Sequence, residues 1–122
     1  MNIRKFAPCG EQSCRIGRYT WSVPRLLQLS KDLPVIEVPL DHMNVCEFYN
    51  GLSLRDLVMH MRAVMDADLT YPIILDEDGC IMDGRHRIMK AMLYGMKTVK
   101  AVRFEENPEP DKIADELQKG AV

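Results

Sequence analysis

The stretch Asp83-Gly84-Arg85-His86-Arg87 decides the expected fold, because it joins a short apolar run, Cys80-Ile81-Met82, to good helix formers over residues 85–94. A glycine between a strand and a helix allows a sharp turn, and it leaves the N–H groups of the first helical turn open to a ligand. Those donors and the helix dipole favour an anion. The sequence therefore predicts a strand, a turn and a helix with an anion site at its start.

The side chains of this stretch suit a phosphate group. Arg85 and Arg87 can each bind two phosphate oxygens, and His86 adds a third donor whose charge a bound anion would favour. We predict Gly84, Arg85, His86 and Arg87 as nucleotide-binding residues, with the Arg87 head group facing solvent. Asp83 can cap the helix, orient an arginine or hold Mg²⁺, and we take Asp83 and His86 as candidate catalytic residues.

The flanking segments predict a hairpin and a further strand. Tyr71-Pro72-Ile73-Ile74-Leu75 is typical of a short buried strand, and Asp76-Glu77-Asp78-Gly79 of a tight turn that returns to Cys80. Gly95 lies where a helix is expected to end, and residues 98–104 alternate as a half-buried strand does. The predicted fold class is a small α/β (α+β) domain, with a mixed sheet and flanking helices.

Two earlier segments complete this domain. Val35 to Leu40 is rich in β-branched residues and predicts a strand. Ser53 and Asp56 have the spacing of a capping box, and they predict a helix start. The apolar side of that helix, which we expect to face the core, consists of Leu57, Met61, Val64 and Met65.

We divide the chain into three parts: residues 1–34, an arm with a short helix; residues 35–104, the nucleotide-binding domain; and residues 105–122, an acidic tail. Residues 1–20 show no periodicity and are expected to be irregular. Ser22, with Pro24 after it, predicts the start of the short helix. The tail is expected to end in a helix from Asp111 to Gln118.

The block from Tyr71 to Val99 resembles the centre of ParB-like domains, which pair a "QPI" strand with a glycine-x-x-arginine helix start. Tyr71 stands where glutamine is usual in that family. Val38-Pro39-Leu40 and the helix from Ser53 match the family's first strand and first helix in order, so the resemblance covers roughly residues 35–104. It implies the ParB/sulfiredoxin-like fold, with ATP, ADP or CTP as the nucleotide and Mg²⁺ as a candidate companion.

The branches of this superfamily differ in the motif, and the chain resembles them to different degrees. Sulfiredoxins resemble the motif but carry a cysteine before His-Arg, where this chain has Arg85. Partition proteins read DNA with a helix-turn-helix that we do not expect here. Free-serine kinases are similar in their His-Arg pair and use an acidic base from an upstream loop. That likeness implies Asp41 or Glu47 as a catalytic base acting on a small hydroxyl-bearing substrate.

We therefore expect nucleotide binding, with phosphoryl transfer or nucleotide hydrolysis left open. The alternative is a non-catalytic ParB-like adaptor that binds DNA or protein. Residues 83–103 carry six basic side chains and one acidic one, which suits a small polyanion, whereas a pI near 5.9 disfavours duplex DNA. With neither a long apolar run nor a signal peptide, the chain is expected to be cytoplasmic and not to bind membranes.

The cysteines, two of the histidines and Trp21 can each be explained without a catalytic or metal-binding role. Cysteines 9, 14, 46 and 80 are expected to be reduced, although Cys9 and Cys14 have a spacing that a zinc site can use; we predict no metal site. His42 and His60 are expected to be surface or hydrogen-bonded helix histidines. Trp21, beside Tyr19, is either a core anchor or a platform for a nucleotide base.

Overall fold

The computed structural model describes residues 13–45 and 51–114. These residues form three helices and two open sheets, and they confirm the predicted mixed α and β class. In chain order the elements are β1 (Ser13–Ile16), β2 (Tyr19–Ser22), α1 (Val23–Ser30), β3 (Ile36–Pro39), α2 (Leu54–Asp66), β4 (Ile73–Leu75), β5 (Ile81–Asp83), α3 (Arg85–Leu93), β6 (Thr98–Arg103) and β7 (Lys112–Ile113). No helix within the described residues has both the length and the apolar character needed to cross a bilayer.

The larger sheet has the strand order β3-β6-β4-β5. The β4–β6 pair is parallel, with Ile73 opposite Ala101, and the other two pairs are antiparallel, so the sheet is mixed as predicted. A parallel pair needs a crossover, which the β5 hairpin and α3 supply here. The predicted turn is present and ends at Gly79, whose φ of 85° lies in the region that favours glycine.

Side chains cover both faces of this sheet. On one face, Ile73 and Leu75 pack with Ile88 and Ala91 of α3. On the other face, Ile74 packs in a cluster with residues of β1, β2, α1 and β6. Burial on both faces explains why β4 is apolar at every position, whereas a strand with one wet face would alternate.

A hairpin replaces part of the irregular arm that the sequence predicts. Strands β1 and β2 pair antiparallel around Gly17, and β7 adds a third strand beside β2. Trp21 on β2 is almost completely buried, and its Nε1 donates a hydrogen bond to the Pro108 carbonyl at 2.8 Å. Trp21 is therefore a core anchor. Residues 1–12 lie outside the described residues.

The tail also differs from its prediction. Residues 112 and 113 form β7, where the sequence predicts a helix from Asp111. The Asp111 carboxylate accepts a hydrogen bond from Ser22 N at 2.7 Å and lies 3.3 Å from Arg25, and both contacts lower its pKa. These contacts hold the chain extended against β2. Residues 115–118 of the predicted helix lie outside the described residues.

The predicted caps of α1 and α2 are confirmed. Ser22 accepts a hydrogen bond from Arg25 N at 3.4 Å, with proline in the first turn. Ser53 Oγ accepts from Asp56 N at 3.1 Å, and the Asp56 carboxylate accepts from Ser53 N at 3.4 Å. This capping box satisfies two helix N–H groups that would otherwise lack partners.

The predicted core face of α2 is wrong at three of its four positions. Val64 is buried, but Leu57, Met61 and Met65 are exposed. The helix instead turns Met59, His60 and Ala63 inwards, where they are half-buried. His60 contacts His86 of α3, so this side of the helix, with the buried Val64, is the side that packs on the protein.

Candidate functional site

Gly84 occupies the corner between β5 and α3. It is the residue before the first helical turn, and its φ of 108° lies in the region that favours glycine. A Cβ at this position would overlap Ile73 Cγ2 and lie 2.8 Å from Ile73 Cβ and 3.1 Å from Ile73 Cα. The glycine is therefore required by its conformation and by its contact with β4, a packing reason that the sequence analysis did not foresee.

The first turn of α3 presents unused donors. Gly84 has no side chain to cap the helix, and the N–H groups of Arg85 and His86 donate no hydrogen bond within the described residues. Such N–H groups need an acceptor from water or from a ligand. The helix dipole adds partial positive charge at the same place, so the corner favours an anion.

Arg85 is the most available cation of the motif. Its side chain is exposed, and it forms no ion pair with any residue in the described ranges. Its charge acts on the Cys14 thiol of β1, whose pKa burial raises to about 11 although Arg85 pulls it down. Cys14 is therefore a buried thiol that stays protonated at neutral pH, and the positive charge of Arg85 lies near enough to oppose the effect of its burial.

Arg87 is held by the protein, and its head group does not face solvent freely as predicted. Its Nη1 donates a hydrogen bond to the Pro72 carbonyl at 3.3 Å and lies 3.7 Å from the Asp83 carboxylate. The two side chains are 24% and 20% exposed, respectively. Arg87 therefore ties α3 to the start of β4, and one edge of its guanidinium remains for a ligand.

His86 faces α2 and forms a pair with a residue that the sequence did not connect to it. Its Nε2 lies 2.8 Å from His60 Nδ1. One nitrogen of such a pair donates and the other accepts, so at least one ring is neutral. Burial lowers the pKa of His86, and the nearby His60 lowers it further. No sequence signal links two histidines 26 residues apart on different helices.

We expect His86 to titrate below the ordinary histidine pKa of 6.5, because burial disfavours its charged form. A folded-state pKa below the unfolded one means that the unfolded chain binds more protons, so stability falls as the pH drops from 6.5 through the folded pKa. NMR titration of the ring protons measures this pKa, and His60→Gln should raise it. A His86 pKa at or above 6.5 in the unmodified chain would contradict the assignment.

Lys90, also on α3, has a structural role. Its Nζ donates to the carbonyl oxygens of Met65 and Ala67 at 2.9 and 2.7 Å, at the end of α2. A cation there satisfies carbonyls that lack helical partners and complements the dipole of α2. Of the basic residues along α3, Arg85 is consequently the one whose head group has neither a hydrogen bond nor an ion pair among the residues that the structure describes.

The structure does not bring all the predicted catalytic acids together at the corner beside Gly84. Asp83 lies next to the corner and pairs with Arg87. Asp41 lies exposed in the 3₁₀ turn Leu40–His42, and it neither hydrogen bonds nor pairs with the motif in the described structure. Glu47 lies outside the described residues. The described structure therefore does not place Asp41 beside Asp83 at the corner, and it leaves the prediction for Glu47 untested.

The other candidate ligands do not form a metal cluster. Among residues 13–45 and 51–114, no three His, Cys, Asp or Glu side chains converge as metal ligands do. Cys14 is buried and Cys80 is exposed, and both are free thiols. Cys9, the proposed zinc companion of Cys14, lies outside the described residues, as does Cys46.

A cavity of about 320 Å³ opens beside Arg87, between α1 and the start of β4. Its walls are mainly apolar, with Leu33, Val35 and Pro72 among them, and Lys31 adds a second cation. Tyr71 stands at the same wall with its ring largely exposed. Arg87 is thus shared between the first turn of α3 and a recess large enough for a small ring system.

No protein-family model, curated protein or solved structure matches this chain. The likeness to ParB-like domains therefore stays a prediction from the motif, and the geometry above carries the functional proposal.

Proposed function

We propose that this chain binds a nucleotide, ATP, ADP or CTP, by holding its phosphates at the first turn of α3. The observation that carries this proposal is the exposed Arg85 guanidinium, which has no ion pair in the described structure and follows directly on a glycine corner with unused N–H donors. Cations with no protein partner beside a helix start favour a multiply charged anion.

The donor set fits a phosphate group. Two backbone N–H groups, the Arg85 guanidinium and one edge of Arg87 offer several directed donors. His86 would gain charge as an anion approached, because an opposite charge raises its pKa. If Mg²⁺ accompanied the nucleotide, Asp83, the carboxylate that pairs with Arg87 at the corner, would be its protein ligand, and water and phosphate oxygens would be the others.

The cavity beside Arg87 supports a nucleotide over free phosphate. A base needs an apolar recess and a flat surface, and Tyr71 with the walls around Pro72 offers both. Arg87 is the residue common to the recess and the helix start. A ligand with a charged end and a ring therefore suits this part of the molecule.

The proposal is one of binding. Phosphoryl transfer or nucleotide hydrolysis would need a base near the phosphates, and within the described residues Asp83 is the acid that pairs with the motif. Phosphoryl transfer to a small hydroxyl-bearing substrate in the cytoplasm would need a base for the hydroxyl proton. Asp41 or Glu47 would have to reach the corner to act as that base.

A protein adaptor is the second candidate function. The exposed apolar residues along α2 favour it, because soluble proteins rarely expose such a row without a partner. Duplex DNA is disfavoured by the pI near 5.9, since affinity for DNA depends on a broad basic surface.

Thermal unfolding with added ligand separates the two candidates. At a ligand concentration 100 times the dissociation constant, a nucleotide should stabilise the fold by about 2.7 kcal/mol, which raises the midpoint by several degrees. ATP, ADP and CTP are compared with and without Mg²⁺, and inorganic tripolyphosphate and adenosine serve as controls. Tripolyphosphate should retain part of the shift and adenosine little. If no phosphate compound moves the midpoint, the adaptor is favoured instead.

A further inference from the structure

The outer face of α2 carries a row of exposed apolar side chains. Leu54, Val58, Met61 and Met65 are 84, 60, 56 and 73% exposed. They lie at successive spacings of four, three and four residues, which places them along one line of the helix. We call these four residues the α2 seam.

The seam is distinct from the face that α2 packs on the protein. Val64 is buried, and Met59, His60 and Ala63 are half-buried on the opposite side of the helix. His60 and the carbonyl of Met65 are held by α3, so the helix cannot rotate its seam inwards without breaking both contacts. The apolar row is therefore a fixed feature of the surface.

We propose that the α2 seam binds the same seam of a second copy of this chain, with the two helices antiparallel. The spacing of the four residues is symmetric about the point between Met59 and His60. A two-fold axis there places Leu54 against the partner's Met65, and Val58 against the partner's Met61. A repeat of 3.5 residues is what two packed helices require, and a symmetric contact closes after two copies.

The charges beside the seam are compatible with this orientation. Arg55, Arg62 and Asp66 border one side of it, and none of the three forms an ion pair within the described residues. In the antiparallel arrangement, Arg55 of each copy comes between the partner's Arg62 and the partner's Asp66. The Asp66 carboxylate offsets the repulsion between the arginines, so that the apolar contacts decide the association.

The association should be weak. Four side chains from each copy form a small interface compared with those of permanent dimers. We expect a dissociation constant on the order of 10 µM. The dimer should therefore be populated at the concentrations used for NMR and largely dissociated in dilute assays.

Sedimentation equilibrium of the full chain tests the location of the contact. The unmodified chain should show a reversible monomer–dimer equilibrium, and Val58→Asp or Met61→Asp should weaken it at least tenfold. These side chains are exposed, so both variants should keep the wild-type unfolding midpoint. Leu29→Asp, at an exposed apolar position on α1, is the matched control and should leave the dimer unchanged.

Disulfide trapping tests the orientation. A mixture of the Leu54→Cys and Met65→Cys chains should form a cross-linked heterodimer under mild oxidation, above the background of the unmodified chain with its four cysteines. Leu54→Cys alone should not exceed that background. The proposal is overturned by a chain that stays monomeric up to about 1 mM, by a dimer that tolerates both aspartate variants, or by linkage of Leu54→Cys to itself. It is also overturned if Val58→Asp abolishes only the binding of a different protein.

Discussion

Replacing Gly84 with alanine is expected to lower the free energy of unfolding by about 3 kcal/mol. Two costs combine at this position. An L-residue at a φ of 108° is strained, and the new Cβ would lie 3.1 Å from the Ile73 backbone and closer still to its side chain. Ile73 is fully buried in β4, so it cannot move aside easily. Chemical denaturation measures the loss.

Gly79→Ala is the matched control. Gly79 also has a positive φ, 85°, but an added Cβ would meet nothing within 4 Å. The Gly79→Ala variant should therefore lose only about 1 kcal/mol in its free energy of unfolding, from the strained backbone conformation alone. Equal losses for the two variants would contradict the packing of Gly84 on β4. Valine at position 84 should be worse than alanine, because its branched side chain enlarges the clash with Ile73.

Arg85→Ala is expected to weaken nucleotide binding between about 10-fold and 100-fold, since charge-assisted hydrogen bonds contribute roughly 1.5–3 kcal/mol. The same change should alter the free energy of unfolding by less than about 0.5 kcal/mol, because the side chain is exposed and has no ion pair in the described structure. Isothermal titration with ATP, beside a melting curve, measures both quantities.

Two further variants show whether the loss of affinity is specific to the position of Arg85. Lys100→Ala removes an exposed positive charge on β6, and it should leave the affinity within about twofold. Arg87→Ala should weaken binding and also lower stability by about 1 kcal/mol, since the Pro72 carbonyl and Asp83 lose their partner. An Arg85→Ala chain that binds ATP as tightly as the unmodified chain would refute the role given to Arg85.

Local chemistry explains what the sequence predicted well. The Ser53 capping box, the turn at Gly79 and the helix that starts after Gly84 each depend on residues within a few positions of one another. Backbone preference and short hydrogen bonds decide such features, and distant contacts change them little. The motif from Asp83 to Arg87 was therefore placed correctly at a strand end and a helix start.

Long-range contacts explain the features of the structure that the sequence did not predict. The apolar residues of α2 favour one rotation of the helix, whereas the observed rotation is the one that brings His60 to His86 and the end of α2 to Lys90. The role of Gly84 against Ile73 depends on a strand 11 positions earlier. Strand β7 forms because Asp111 reaches Ser22, 89 residues away. None of these partners is marked by periodicity or spacing in the sequence.

The most direct test of the phosphate site follows the backbone amides during titration with ATP, in ¹⁵N-labelled protein. Ligand oxygens that accept hydrogen bonds at the helix start should move the Arg85 and His86 amide signals most, and they should saturate with the affinity that calorimetry gives. Adenosine should leave those two signals in place. If ATP binds while both amides stay unmoved and other parts of the chain respond, the phosphates do not lie at the first turn of α3.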